Sequence, residues 1–176
     1  MSNLFTRPRV IGLVLAAAIF IVDQWLKNIM IHDLRLREVG NIHLLPFFDL
    51  TWVENYGVSL GMLTARSMEM RWGLVALTAT IALVVLVWMM REKVLGEILG
   101  LSFVLGGALG NIRDRINYGY VVDYADFHIG DFRPFLVFNL ADAAITIGVL
   151  IILARSFLIR EKADTKSDAG APVTEK

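Results

Sequence analysis

Residues 72–90 form a run of 19 without a single charge. Coiled as a helix at 1.5 Å per residue, such a run extends about 28 Å, close to the hydrocarbon thickness of a bilayer. A helix that is apolar on every side at this length belongs in a large protein core or a membrane. Trp72 and Trp88 lie near its two ends, where amphipathic rings settle at the headgroup level. Three further stretches fit the same reading: about 10–31, 94–112 and 137–159, the last beginning between Phe135 and Asn139. Four spans of about 20 residues use roughly half of a chain this short. The loops that remain can hold one site but not a second globular domain.

Composition agrees. Apolar residues make up 56% and charged residues 19%, with mean hydropathy +0.61; soluble domains run at about 45–50% and about 25%. With 17 basic and 17 acidic residues the net charge is zero, which offers no electrostatic footprint for nucleic acid. The absence of cysteine excludes disulfides and thiolate metal sites. The fold class expected is therefore an all-α membrane protein: four transmembrane helices, a small extracytoplasmic β-like loop region and a short interfacial helix. Residues 1–160 form one domain, and 161–176 are expected to be a disordered cytoplasmic tail.

Arg7 and Arg9 followed by an apolar run, with Ala16-Ala17-Ala18 inside it, resemble a cleavable secretory signal. The apolar character continues to Ile31, however, which favours a retained first span. Lysine and arginine near span ends set orientation. Arg7 and Arg9, Arg91 and Lys93, and Arg155, Arg160, Lys162 and Lys166 fall on one side of a four-span layout, so both termini are expected in the cytoplasm. On the other side lie loops of about 32–71 and 113–134. Residues 42–53 are rich in β-branched and aromatic types suited to short strands. Residues 62–71 suit an interfacial helix. Tyr56, Tyr118, Tyr120 and Tyr124 are expected at the headgroup layer. Gly96/Gly100 and Gly106/Gly110 have the spacing that lets helices approach closely in lipid.

A charge within a span costs about 2.5–3.5 kcal/mol on insertion scales, so such groups pair, face water or do chemistry. Asp23 and Lys27, spaced i,i+4, suit a structural ion pair. Asn111 and Arg115 share one helix face near the end of the third span; Asn139 and Asp142 share another at the start of the fourth. All of them converge on one side of the membrane. Asp123, in the loop before the last helix, and Asp142 form the most suggestive pair. Two close carboxylates cannot both ionise easily, so one keeps a proton, and such a dyad can activate water and protonate a leaving amine. The spacing leaves a second reading open, in which Asp142 complements a helix N-terminus and Asp123 pairs with an arginine. Asp114 suits a pairing role, and Arg115 suits pairing or a lipid phosphate.

Gly57-Val58-Ser59-Leu60-Gly61 matches the nucleophile elbow of serine hydrolases, but that motif has meaning only at a strand–turn–helix of an α/β sheet, for which the chain has no room. His32, His43 and His128 are scattered over loops in no metal-binding spacing, so no metal and no cofactor is expected. A proton-coupled transporter would also carry intramembrane acids, but here they cluster on one side instead of crossing the bilayer. A partner-binding scaffold would account for the glycine spacings alone.

Asp23-Gln24-Trp25-Leu26-Lys27, Asn55-Tyr56-Gly57, the block from Gly106-Gly107-Ala108 through Gly110-Asn111 to Asp114-Arg115, Val121-Val122-Asp123-Tyr124 and Phe138-Asn139-Leu140-Ala141-Asp142 occur in that order. Together they resemble lipoprotein signal peptidase, or signal peptidase II. Val58-Ser59-Leu60 depart from the Ala-Ala-Phe usual there. The resemblance implies an aspartic endopeptidase of the bacterial inner membrane, acting as a monomer on diacylglyceryl-modified prolipoproteins among membrane phospholipids and cutting just before the lipidated cysteine. It implies catalytic roles for Asp123 and Asp142, and supporting roles for Asp23, Lys27, Asn55, Gly57, Asn111, Asp114, Arg115 and Asn139. The long first loop is expected to close over the substrate as a β-like cradle and interfacial helix.

Overall fold

The computed structural model of the protein describes residues 5–57 and 68–168. Helix α1 (Arg7–Asn28) runs on through a π-helical turn (Ile29–Asp33) into a short α2 (Leu36–Val39). Then come β1 (Asn41–Leu45), β2 (Phe48–Asn55), α3 (Met68–Arg91), α4 (Leu95–Asn117), β3 (Val121–Phe127) and α5 (Leu140–Asp168). Four helical segments are long and apolar enough to cross a bilayer: Arg7–Asp33, Met68–Arg91, Leu95–Asn117 and Leu140–Phe157. The all-α membrane class holds, with a three-stranded antiparallel sheet in the order β1-β2-β3 beside the helices.

Helix α4 is the hub, packed against α1, α3 and α5. Its glycines make this possible, because lipid tails are as apolar as leucine and helices in a membrane associate by close packing instead. A Cβ on Gly106 would stand 2.6 Å from the Ala16 carbonyl of α1. One on Gly107 would collide with the Ala141 carbonyl of α5, and one on Gly110 with the Asp23 carboxylate. None of these obstacles is the flexible end of a long side chain. Gly107→Val is therefore expected to push α5 off α4, lowering the melting temperature of the purified protein and its cleavage activity together; full activity with an unchanged melt would show that the α4–α5 spacing is soft.

The interior of the bundle is small and aliphatic: Ala16, Val75, Ala82, Met89, Ile98, Leu101, Leu105 and Ile112. A second core, Met30, Leu36, Leu50, Tyr124 and Ala125, joins the π-turn and α2 to the sheet. Tyr124 is buried there, which corrects its expected place at the headgroup layer. Its ring fills the junction between sheet and helices instead of facing lipid.

Several expected boundaries move. Asp123 sits on strand β3 and not in a loop, because residues 121–127 pair with β2 from Asn55↔Val121 to Phe48↔Phe127. Arg115 lies on α4 as expected, and the helix runs on to Asn117, so Asp114 is helical and the loop expected from about 113 starts later. Helix α3 starts at Met68, so residues 68–71 of the expected interfacial helix are the first turn of a span; residues 62–67 lie outside the described residues, as do Val58-Ser59-Leu60. Helix α5 continues to Asp168, so 161–168 are helical where a disordered tail was expected. Glu161, Lys162, Ala163 and Lys166 are good helix formers that extend a helix already nucleated by the span. Residues 169–176 lie outside the described residues.

Candidate active site

The first turn of a helix leaves four backbone N–H groups without intrahelical partners. At α5 each of them finds one, and the partners are the conspicuous polar residues of the sequence. Leu140 N–H donates to the Tyr124 hydroxyl at 3.3 Å, Ala141 N–H to Asp23 Oδ1 at 3.0 Å and Asp142 N–H to Asn139 Oδ1 at 2.9 Å, while Ala143 N–H begins the intrahelical ladder on the Asn139 carbonyl at 3.2 Å. In return Asp142 Oδ2 accepts from Asn139 N–H at 3.3 Å. Asn139 and Asp142 thus make the reciprocal contacts of a capping box. The helix-capping reading of Asp142 is correct as far as it goes.

The same asparagine reaches further. Asn139 Nδ2 donates to Asp123 Oδ1 at 2.6 Å, so one amide side chain binds both carboxylate residues. Backbone pairing sets this up: Phe138 exchanges hydrogen bonds with Ala125, which delivers Asn139 beside Asp123. Asn55 Nδ2 donates to the other oxygen of Asp123 at 2.9 Å. No arginine pairs with Asp123 among the described residues; its partners are two neutral amides. Asn55 is itself held by Gly57, whose N–H donates to Asn55 Oδ1 at 2.8 Å. Gly57 has φ +80°, and a Cβ there would meet Leu74 at 3.0 Å and Arg115 at 3.3 Å. This tight turn requires glycine.

Asn111 completes the link to α4. Its Nδ2 donates to Asp142 Oδ1 at 2.8 Å, and its Oδ1 accepts from Lys27 Nζ and from Asn139 Nδ2, each at 3.3 Å. Lys27, 2% exposed, also pairs with Asp23 at 3.0 Å and Asp114 at 2.7 Å, both fully buried. Asp114 Oδ2 in turn accepts the Val122 N–H at 3.1 Å, fixing the strand one residue before Asp123. The expected Asp23–Lys27 pair is present, as part of a triad that ties α1, α4, β3 and α5 together.

Two residues without an expected role belong here. Gln24 Nε2 donates to Asp23, Asp114 and the Gly110 carbonyl. Arg71 holds the carbonyls of Arg115 and Ile116 at the end of α4. Gln24 stands one residue after Asp23 in the sequence, but only the crossing of α1 and α4 reveals its contacts. Arg115 lies beside Gly57 and donates to the Asn111 carbonyl at 3.5 Å; its buried Nε has no hydrogen-bond partner among the described residues.

Electrostatics separates the carboxyls. Asp123 is 1% exposed. Burial first, and the nearby charge of Asp142 second, push its carboxyl up to about 6 against the hydrogen bonds of Asn55 and Asn139. Asp49 and Asp126, paired across β2 and β3, stay outside this group: Asp126 lies three residues beyond Asp123 and hence on the other strand face. Asp126 is satisfied by Thr51 and Arg133. Burial raises the Asp49 carboxyl, but the His43 ring and the Asn41 amide that bond it, with His128 3.3 Å away, outweigh that and hold it below the ordinary value.

Two clefts meet at the carboxylates. One, about 330 Å³, is bordered by Val53, Asn55, Asp123 and Leu136. The other, about 350 Å³ and almost wholly apolar, is bordered by Phe135, Leu136, Phe138, Asp142 and Ile147. Four spans with a carboxyl pair, Asp123 buried and Asp142 half-buried, at the end that carries the sheet define a polytopic membrane protein with a site suited to acid–base chemistry. The sequence profile described as Signal peptidase (SPase) II matches residues 15–158. The chain belongs to the signal peptidase II family. It is 53% identical to the lipoprotein signal peptidase of Sphingopyxis alaskensis over 86% of this chain and 88% of that protein. It is 54% identical to the lipoprotein signal peptidase of Rhizorhabdus wittichii over 92% of this chain and 94% of that protein. A bacterial membrane enzyme solved by the in meso method at 2.3 Å superimposes with TM-score 0.69 at 26% identity, covering 93% of this chain and 94% of its own. Family membership makes this a multi-pass membrane protease that cleaves signal peptides from prolipoproteins.

Proposed function

We propose that the protein is an aspartic endopeptidase, that Asp123 and Asp142 activate the attacking water, and that cleavage falls just before the diacylglyceryl-modified cysteine. The carrying observation is the Asn139 side chain, bound to Asp123 through Nδ2 and to Asp142 through Oδ1. Asp123 is the more buried of the two and holds the shared proton; Asp142 is the base. Asp142 takes a proton from water, and the hydroxide adds to the scissile carbonyl carbon while Asp123 protonates the carbonyl oxygen. The C–N bond then breaks, the leaving amine takes the proton from Asp142, and Asp123 recovers its own as the carboxyl product forms. The apolar cleft beside Asp142 suits acyl chains, and the cleft beside Asp123, edged by β2, suits an extended peptide. Asn55, Gly57, Asn111 and Asn139 orient the carboxyls; Asp23, Lys27 and Asp114 hold the frame, and Arg115 faces the substrate.

Arg9 donates to the Glu92 carbonyl and Arg155 pairs with Glu97, so the basic residues gather at the end remote from the sheet. That supports both termini in the cytoplasm, the site at the outer face and residence in the bacterial inner membrane. The test is cleavage of a diacylglyceryl-modified prolipoprotein beside its unlipidated precursor, from pH 4.5 to 9. The lipidated substrate alone should be cut, with kcat/KM falling on the alkaline side of about 6 as Asp123 ionises, and without effect of chelators or serine reagents. Equal cutting of both precursors would refute the substrate assignment; a rate flat across that range would refute the shared proton.

A further inference from the structure

On α4, Asn111 and Arg115 point to the site, and a residue two positions from either is turned about 200° away. Arg113 is that residue, and it is exposed on the outer flank of the bundle. It lies inside a membrane-spanning segment, yet no carboxylate pairs with it among the described residues. Its guanidinium lies 5.8 Å from the centre of the Phe20 ring on α1. It borders a cleft of about 340 Å³ with Phe20, Gln24, Trp25, Asn28 and Tyr118. Trp25 and Tyr118, 61% and 42% exposed, are the aromatic types that mark a membrane interface.

The chemistry of this cleft is specific. An arginine directed into lipid needs an anion, and guanidinium is suited to a phosphate group, which it binds with two parallel hydrogen bonds. The exposed Asn28 amide supplies another donor. Lys27 also borders the cleft, but its ammonium is taken up by Asp23 and Asp114. Among the described residues no acidic side chain lines the cleft. A zwitterionic headgroup would therefore bring an ammonium with nothing to meet it, whereas an anionic headgroup brings only the group that Arg113 lacks. The apolar flank of Phe20 and Ile21 continues the cleft along α1 toward the bilayer centre, where an acyl chain would run.

We propose that Arg113, with Asn28, Trp25 and Tyr118, forms a binding site for the phosphate of an anionic glycerophospholipid. It lies on the α1–α4 flank, away from Asp123 and Asp142, and does not depend on the chemistry assigned to them. The full chain, purified in detergent, would be titrated with phosphatidylglycerol or phosphatidylcholine of matched acyl chains and the bound lipid read by native mass spectrometry. Wild type should retain phosphatidylglycerol at least fivefold over phosphatidylcholine. Arg113→Gln should bring the ratio near one, Arg113→Lys should restore part of it, and Arg37→Gln, the same charge change on the sheet side, should leave it intact. Millimolar inorganic phosphate should not displace the lipid. An undiminished ratio in Arg113→Gln, an equal loss in Arg37→Gln, or displacement by free phosphate would each overturn the lipid site. A photoreactive phosphatidylglycerol on wild type needs no variant: label on peptides spanning 20–28 and 113–118 supports the site, and label confined elsewhere refutes it.

Discussion

Asp123→Asn is expected to lower prolipoprotein cleavage by about 10²–10⁴-fold, the usual range for loss of a positioned acid or base, while the protein stays folded. Asparagine keeps the shape but cannot carry the shared proton. The stability side gives the prediction its second edge. The folded carboxyl keeps its proton to about pH 6, whereas the unfolded chain releases it near 3.8. Between those values the folded state binds more protons, so stability falls as pH rises through the window and levels off above it. A shift of this size corresponds to about 3 kcal/mol. Asparagine removes that penalty, but its own NH2 then faces one of the two donors from Asn55 and Asn139, at a cost of about 1–3 kcal/mol. Above pH 7 the variant should therefore melt close to wild type, and between pH 4.5 and 7 it should lack the wild-type decline. Thermal unfolding in one detergent at several pH values, beside the cleavage assay, reads both effects. Asp126→Asn, three residues along the same strand but on the opposite face, should keep its activity. Near-full activity in Asp123→Asn would make this carboxyl structural and end the mechanism.

The helices were legible because lipid imposes one rule, long apolar runs, and the chain obeys it four times. Asn139 and Asp142 were legible as a pair because i,i+3 spacing puts them on one helix face. Asp123 was harder. Strand β3 is short and buried on both sides, so no alternation marks it, and its residues read as loop until pairing with β2 and Phe138 is seen. Asp123 and Asp126 look equivalent as letters; only the strand period tells the carboxyl near α5 from the one held by Thr51 and Arg133. Gln24 and Arg71 had no expected role because their partners are mainly on α4, and no local pattern encodes a helix crossing. Tyr124 was misplaced because its headgroup assignment rested on its lying in an extracytoplasmic loop, while its hydroxyl accepts the Leu140 N–H of α5.

The proposed catalytic pair, Asp123 and Asp142, also depends on a charge that touches neither carboxyl directly. Lys27 is the only cation paired with Asp23 and Asp114 among the described residues, and all three side chains are buried. Lys27→Met keeps the length and apolar stem but leaves two buried carboxylates uncompensated, and breaking such a cluster costs about 3–5 kcal/mol. The damage should spread along named contacts. Asp23 holds the Ala141 N–H of α5, and Asp114 holds the Val122 N–H of β3. Repulsion between the two acids would therefore loosen the elements that carry Asp142 and Asp123. Asn111 would lose the ammonium at its Oδ1, and with it part of the restraint that turns its Nδ2 toward Asp142. A clear fall in melting temperature together with loss of cleavage is expected. Lys27→Met combined with Asp114→Asn should recover part of the stability, since it removes one stranded charge, but not the activity, since Val122 would lose a charged acceptor. If Lys27→Met melts like wild type, the triad is solvated in the membrane-embedded protein and cannot be what holds α1, α4, β3 and α5 in register.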